Sequence, residues 1–185
     1  MPRQVDHEQR RQAIAEALWR IVSTQGLEGV SLRNVAAEAG ISMGLVQHYF
    51  RSKDEMLLFA YATLSVRIEN RLLAGSGYQP TLKTLFLEML PLDDERREEA
   101  HAVVAFMTRA AVSPAFAEAA NVDAGAFRAY ITSQLTAAGV PDAEQHTEIL
   151  LATVDGMAVR ILAGYLTPEQ AVKALDTYLA ALGCG

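Results

Sequence analysis

Cysteine occurs once in the 185 residues, at position 184, so no disulfide can form within the chain. Proline is scarce too, and each of the six stands where a helix would begin or end. No stretch approaches the roughly 18 uninterrupted apolar residues of a membrane span. Residues 1–20 are polar with charges of both signs, unlike a secretory leader. A cytoplasmic protein, away from membranes, is expected. Also missing are H-E-x-x-H, a paired E-x-x-H, a phosphate-binding glycine loop and a nucleophile beside a base. No metal, cofactor or catalytic residue is therefore expected, and an enzyme built in a helical bundle, with Asp155 near His101 or His146, has nothing to specify it.

A basic excess is lacking as well, since the net charge is −6. The charge is unevenly spread, however. Residues 1–53 carry seven Lys/Arg against five acids, a balance of +2, whereas residues 54–185 carry nine against seventeen, a balance of −8. A basic end facing phosphate and an acidic body held away from it would look like this. Arginine outnumbers lysine 13 to 3 and alanine is abundant, which fits a GC-rich bacterial genome.

What is present is helical periodicity. Hydrophobic residues make up 51% of the chain and charged residues 21%, enough to bury a core and too few charges for a solvating tail. The pattern predicts an all-α fold of about nine helices. Asp6, with Gln9, is the expected cap of a first helix whose stripe is Ile14, Leu18, Ile21 and Val22, stopped at Gly26. Ser31 caps a short second helix with Leu32, Val35, Ala36 and Ala39 inward. Gly40 ends it, Ile41 plugs the turn, and Ser42 caps a third helix from Met43 to about Tyr49. Ser52 and Glu55 open a long fourth helix with Leu57, Tyr61, Leu64, Ile68 and Leu72 on one face, closed by Gly75-Ser76-Gly77. Helical stretches follow over 80–90, 94–112, 115–138 (with a bend or break expected near 121–125), 144–164 and 168–182. Asp142 with Gln145, and Thr167 with Gln170, are the last expected cap pairs.

Residues 31–50 read S-L-R-N-V-A-A-E-A-G-I-S-M-G-L-V-Q-H-Y-F, two short helices joined by a tight turn. A left-handed residue is needed at Gly40. Val46 and Phe50, at i and i+4, should pack inward and leave Met43, Gly44, Gln47 and His48 on the opposite face. A helix this short is unstable alone, so its neighbours must hold it. With S-K-D-E-M-L-L following at 52–58, these residues resemble the DNA-binding domain of the TetR family of transcriptional regulators, in detail over about 8–60.

That resemblance implies a helix-turn-helix domain at 1–53 (motif 31–50), a connecting helix at 54–76, and a ligand-binding and dimerisation domain at 77–185. It implies that Ser31 and Arg33 reach phosphate and, for Arg33, a base edge, a task for which the guanidinium fork suits guanine. Ser42, Met43, Gly44, Leu45, Gln47 and His48 match the recognition helix. Gln47 would bond adenine, Leu45 or Met43 would touch a thymine methyl, and Gly44 would permit close approach. Tyr49 and Lys53 match backbone contacts. The partners implied are a palindromic double-stranded operator, a second copy of the chain and a small-molecule inducer whose identity the sequence does not give. A DNA-binding regulator without a ligand is the alternative.

The body supports a dimer. Residues 149–162 are apolar on more than one face, and Ala152 with Gly156 makes a small-residue step. Ile149, Ala152, Gly156 and Ile161, with Leu175, Tyr178, Leu179 and Leu182 of the last helix, are the expected interface. A sensor pocket is expected among Phe86, Met89, Phe106, Met107, Phe127, Tyr130 and Met157, with Arg109, Asn121 and Arg160 as polar anchors. Arg109 can serve as an anion anchor or pair with Asp155 or another acid.

Overall fold

The computed structural model of the chain describes residues 2–76 and 80–184, with backbone alone for 2–6, 73–76 and 122–124. Among the described residues are nine α-helices and no strand: α1 (Pro2–Gln25), α2 (Leu32–Glu38), α3 (Met43–Tyr49), α4 (Lys53–Ser76), α5 (Leu82–Glu88), α6 (Asp94–Val112), α7 (Pro114–Ala137), α8 (Ala143–Leu162) and α9 (Pro168–Ala181). A 3₁₀ turn, Leu27–Gly29, joins α1 to α2.

Side-chain caps set most of the helix starts. Ser31 Oγ accepts from the Asn34 amide at 3.1 Å, and Ser42 Oγ accepts from the Leu45 amide at 3.2 Å. At α4, Ser52 Oγ accepts from the Glu55 amide at 3.1 Å, while the Glu55 carboxylate takes the Arg51 amide at 2.7 Å. Thr167 and Gln170 form a full capping box at α9, with Pro168 in the first turn. Three expectations differ. The first helix begins at Pro2, so Asp6 lies inside it and does not cap it. Asp142 makes no side-chain cap, because its φ of 49° is left-handed and turns the carboxylate away from the amides it would serve. Of the bend or break expected near 121–125, a break does not occur, since α7 is one continuous helix from Pro114 to Ala137. Gly77, expected to close α4, lies outside the described residues.

The chain divides into two compact units: Met1–Arg67 with His101–Ala120, and Ile68–Ala100 with Asn121–Gly185. This division falls within α4, α6 and α7. In the first unit Ile14, Leu18, Ile21 and Val22 of α1 are buried, as are Val35, Val46, Phe50, Met56, Leu57 and Leu64. The second half of α6 belongs here because Phe106 is buried with its ring 5.3 Å from Tyr61, edge to face.

The second unit is built on Leu72, Leu82, Leu85, Phe86, Leu90, Ile131, Leu135, Leu150, Val154, Ile161, Leu175 and Leu179. On α8 the buried face is Thr147, Leu150, Val154, Ala158 and Ile161. Thr147 is satisfied, donating to the Ala143 carbonyl and meeting Thr132 Oγ1 at 2.9 Å. Ile161, Leu175 and Leu179, expected at a dimer interface, are 3%, 1% and 0% exposed. They are consumed by the chain's own core and have no surface to offer a partner. The face of α8 that remains open is Ile149, Ala152, Gly156 and Val159.

Candidate nucleic-acid interface

The reading head is made by the first unit. Gly40 has φ +66°, the left-handed conformation its turn requires, and the Ile41 amide closes that turn on the Ala36 carbonyl at 2.9 Å. In α3, Val46 is 0% and Phe50 1% exposed, so one face of the helix is locked into the core. Met43, Gly44, Gln47 and His48 are exposed on the other, and Leu45 and Tyr49 are half-buried at its margins. Arg33 is exposed on α2 and Ser31 half-buried at its start. The Ser31 and Ser42 oxygens accept from backbone amides, which keeps their hydroxyl hydrogens available to an external acceptor.

Lys53 is more constrained than its sequence position suggests. Its ammonium donates to the Leu27 carbonyl at 2.6 Å, tying the start of α4 to the 3₁₀ turn and leaving two hydrogens for phosphate. Beside it Asp54 is held by Arg109, whose Nε and guanidinium NH₂ donate to the two carboxylate oxygens at 2.9 and 2.7 Å. The bidentate bond from Arg109 holds the Asp54 carboxyl below its ordinary range, with Lys53 adding to the effect. The folded value is depressed, so this contribution to stability is present at neutral pH and is lost as pH falls through that lowered range. The pair also offsets a negative charge that would otherwise stand next to Lys53.

Gly44 has a clear signature. A Cβ built there meets nothing within 4 Å, and its φ is not positive. The fold therefore has no need of glycine at this exposed helical position, where alanine is intrinsically better by up to about 1 kcal/mol. Gly44→Ala is expected to leave Tm unchanged or slightly raised and to weaken duplex binding in a gel-shift titration. Unchanged binding would remove Gly44 from the interface.

The expected pocket residues are not brought together in one unit. Phe106, Met107 and Arg109 lie in the first, Phe106 as core and Met107 47% exposed. Arg109 is occupied by Asp54, the acid elsewhere in the chain, and so is not an anion anchor. In the second unit Phe86 is fully buried as core, while Met89, Phe127, Tyr130 and Met157 are half-buried against that core. Asn121 and Arg160 point to solvent. An open groove of about 400 Å³, lined by Leu92, Pro168, Glu169, Val172, Lys173 and Asp176, shares none of these residues. The Tyr130 hydroxyl is buried without a partner, and burial pushes the Asp155 carboxyl up. His146 bonds the Tyr178 hydroxyl through Nδ1 at 2.9 Å rather than an acid.

Comparison with known proteins agrees with this geometry. Residues 14–59 match the tetR family of bacterial regulatory proteins, and residues 79–183 match the C-terminal region of BetI-type transcriptional repressors. The chain is 36% identical over 172 residues to the HTH-type transcriptional regulator PksA of Bacillus subtilis, covering 88% of this chain and 83% of that one. A transcriptional regulator from Rhodococcus superposes with a TM-score of 0.85 at 37% identity, over 93% of this chain and 95% of the other. A regulator from Saccharomonospora viridis, solved in complex with choline, has the same fold (TM-score 0.79, 20% identity, 94% and 96% covered).

Proposed function

The chain belongs to the tetR family of bacterial transcriptional regulators, with a BetI-type repressor body, and from that premise we propose how its residues hold DNA and release it. It is a helix-turn-helix DNA-binding regulator rather than an enzyme. The observation that carries the residue assignment is the division of α3, with Val46 and Phe50 locked inward and Met43, Gly44, Gln47 and His48 open to a groove.

In this reading Arg33 and Gln47 read base edges, with Leu45 or Met43 against a thymine methyl. Ser31, Ser42, Tyr49 and the spare hydrogens of Lys53 bond phosphate. One short helix binds too weakly to find an operator, so two copies act together on a palindrome through α8 and α9. The protein works where its DNA is, in the cytoplasm. No described helix is long and apolar enough to cross a membrane.

Arg33→Ala and Gln47→Ala should each weaken operator binding by about 1–3 kcal/mol and relax sequence preference, without changing Tm. Lys53→Ala should weaken all duplexes alike, reduce the salt slope by about one unit, and lower Tm because the Leu27 carbonyl loses its donor. Equal behaviour of the three variants would refute these roles.

Ligand release rests on the Tyr130 hydroxyl. A buried hydroxyl without a partner costs about 1–3 kcal/mol, and an acceptor on a bound small molecule would satisfy it. Phe127, Met89 and Met157, half-buried against the same core as Tyr130, are the apolar residues we assign to that site. Binding there would shift the population toward a state whose recognition helices no longer match the half-sites. Choline, bound by the Saccharomonospora regulator, is the first compound to test. A compound that raises Tm and abolishes the gel shift marks a ligand-responsive repressor; one that raises Tm and leaves DNA affinity intact rules this coupling out.

A further inference from the structure

The match to the tetR family begins at residue 14, yet α1 starts twelve residues earlier, at Pro2. Two side chains of this leading stretch rest on the end of the recognition helix. The His7 ring lies 4.6 Å from the Tyr49 ring at an interplanar angle of 60°, edge to face. One turn further on, the Arg11 guanidinium sits 5.1 Å from the Phe50 ring centre and 4.2 Å from that of Phe59, with its Nε buried. Positions 7 and 11 share a helix face, so the two contacts form one seam.

Tyr49 also has the ring of its sequence neighbour close by, with His48 5.3 Å away at 80°, edge to face. The Tyr49 hydroxyl has no hydrogen-bond partner among the described residues. His7 itself is exposed, so the contact does little for the core. An exposed ring that contacts one side chain of the reading head restricts that side chain's rotamers.

We propose that His7, outside the family motif, is a positioning residue for DNA binding: it braces the Tyr49 ring so that its hydroxyl is pre-aimed at a phosphate. This rests on the assignment of Tyr49 to backbone contact. Preorganisation of one aromatic ring in this way affects affinity without adding a contact to DNA. The influence is independent of base sequence, because phosphate contacts carry none.

The test is a double-mutant cycle, at pH 8 with the full-length protein, by fluorescence anisotropy on an operator and on an unrelated duplex, with Arg33→Ala as reference. His7→Ala should weaken both duplexes roughly two- to tenfold, the range of a single aromatic pair, with Tm and salt slope unchanged. His7→Phe, which keeps a ring, should restore the affinity. In a Tyr49→Ala background, His7→Ala should have no further effect. A His7→Ala protein that binds like the parent while Tyr49→Ala is weakened overturns the proposal and leaves the phosphate role of Tyr49 standing. An undiminished His7 effect in the Tyr49→Ala background overturns it as well, since His7 would then act directly. Parental binding by Tyr49→Ala, with Arg33→Ala impaired, overturns both the brace and the Tyr49 assignment beneath it.

Discussion

Gly156→Glu is expected to leave each chain folded, to convert the dimer into monomers, and to weaken operator binding on the order of a thousandfold. A Cβ at Gly156 meets nothing within 4 Å, so the single chain has room for the new side chain. Glutamate is a better helix former than glycine by roughly 0.5–1 kcal/mol, so α8 itself should gain. In the proposed dimer, the damage arises where two copies meet. Ile149 and Val159 are 47% and 46% exposed, and with Ala152 and Gly156 they recur at spacings of three and four along α8. That is the pattern of a helix seam, with small residues where backbones come closest. Across a two-fold axis the substituted carboxylate faces its own copy, a like-charge contact with no partner to relieve it. Sedimentation should report a monomer with unchanged helical circular dichroism. Retained dimerisation and operator affinity would place the subunit contact elsewhere.

The α8 face also shows what the sequence could and could not say. Its segment is apolar nearly all round, which tells that two faces are covered but not which residues cover the core. Ile161 turns to the chain's own core, and on α9 the single apolar stripe that holds Leu175 and Leu179 does the same, which only packing with residues such as Phe86 and Leu135 decides. The head was legible because its rules are local. Ser31 and Ser42 cap helices three residues ahead, Gly40 needs its left-handed φ, and Val46 and Phe50 are one helical turn apart. Contacts distant in sequence left no such trace. Asp54 and Arg109 are 55 positions apart and Lys53 and Leu27 are 26 apart, and nothing in either neighbourhood selects the partner. Asp142 failed as a cap because a sequence pattern cannot report a positive φ. A bend or break is expected near 121–125, but one exposed glycine there, Gly125, costs a helix only about 1 kcal/mol, which a long helix tolerates.

Arg71→Met should strongly destabilise the second unit, by about 3 kcal/mol. Arg71 of α4 donates to Glu88 at the end of α5, bonds both Glu99 oxygens on α6 at 2.9 and 2.7 Å, and lies 3.3 Å from Glu95. Glu99 is 6% exposed and Glu88 14%, so two shielded carboxylates bond this guanidinium, which is itself 25% exposed. Hydrogen bonds from Arg71 to Glu99, chiefly, and to Glu88 push the arginine further toward its charged form. Arg96 also reaches Glu88, at 3.2 Å, but it is shared with Asp93 and does not replace the bond to Glu99. Methionine fills much of the same volume, so the loss is electrostatic rather than a cavity. For a domain of this size the shift in Tm is roughly 6–12 °C. Adding Glu99→Gln should recover part of it, because the most buried carboxylate that loses its Arg71 bonds is then neutral. Tm values of the single and double variants in one buffer decide the matter. If the double variant is no more stable than Arg71→Met alone, Arg71 holds α4, α5 and α6 together by shape and not by charge.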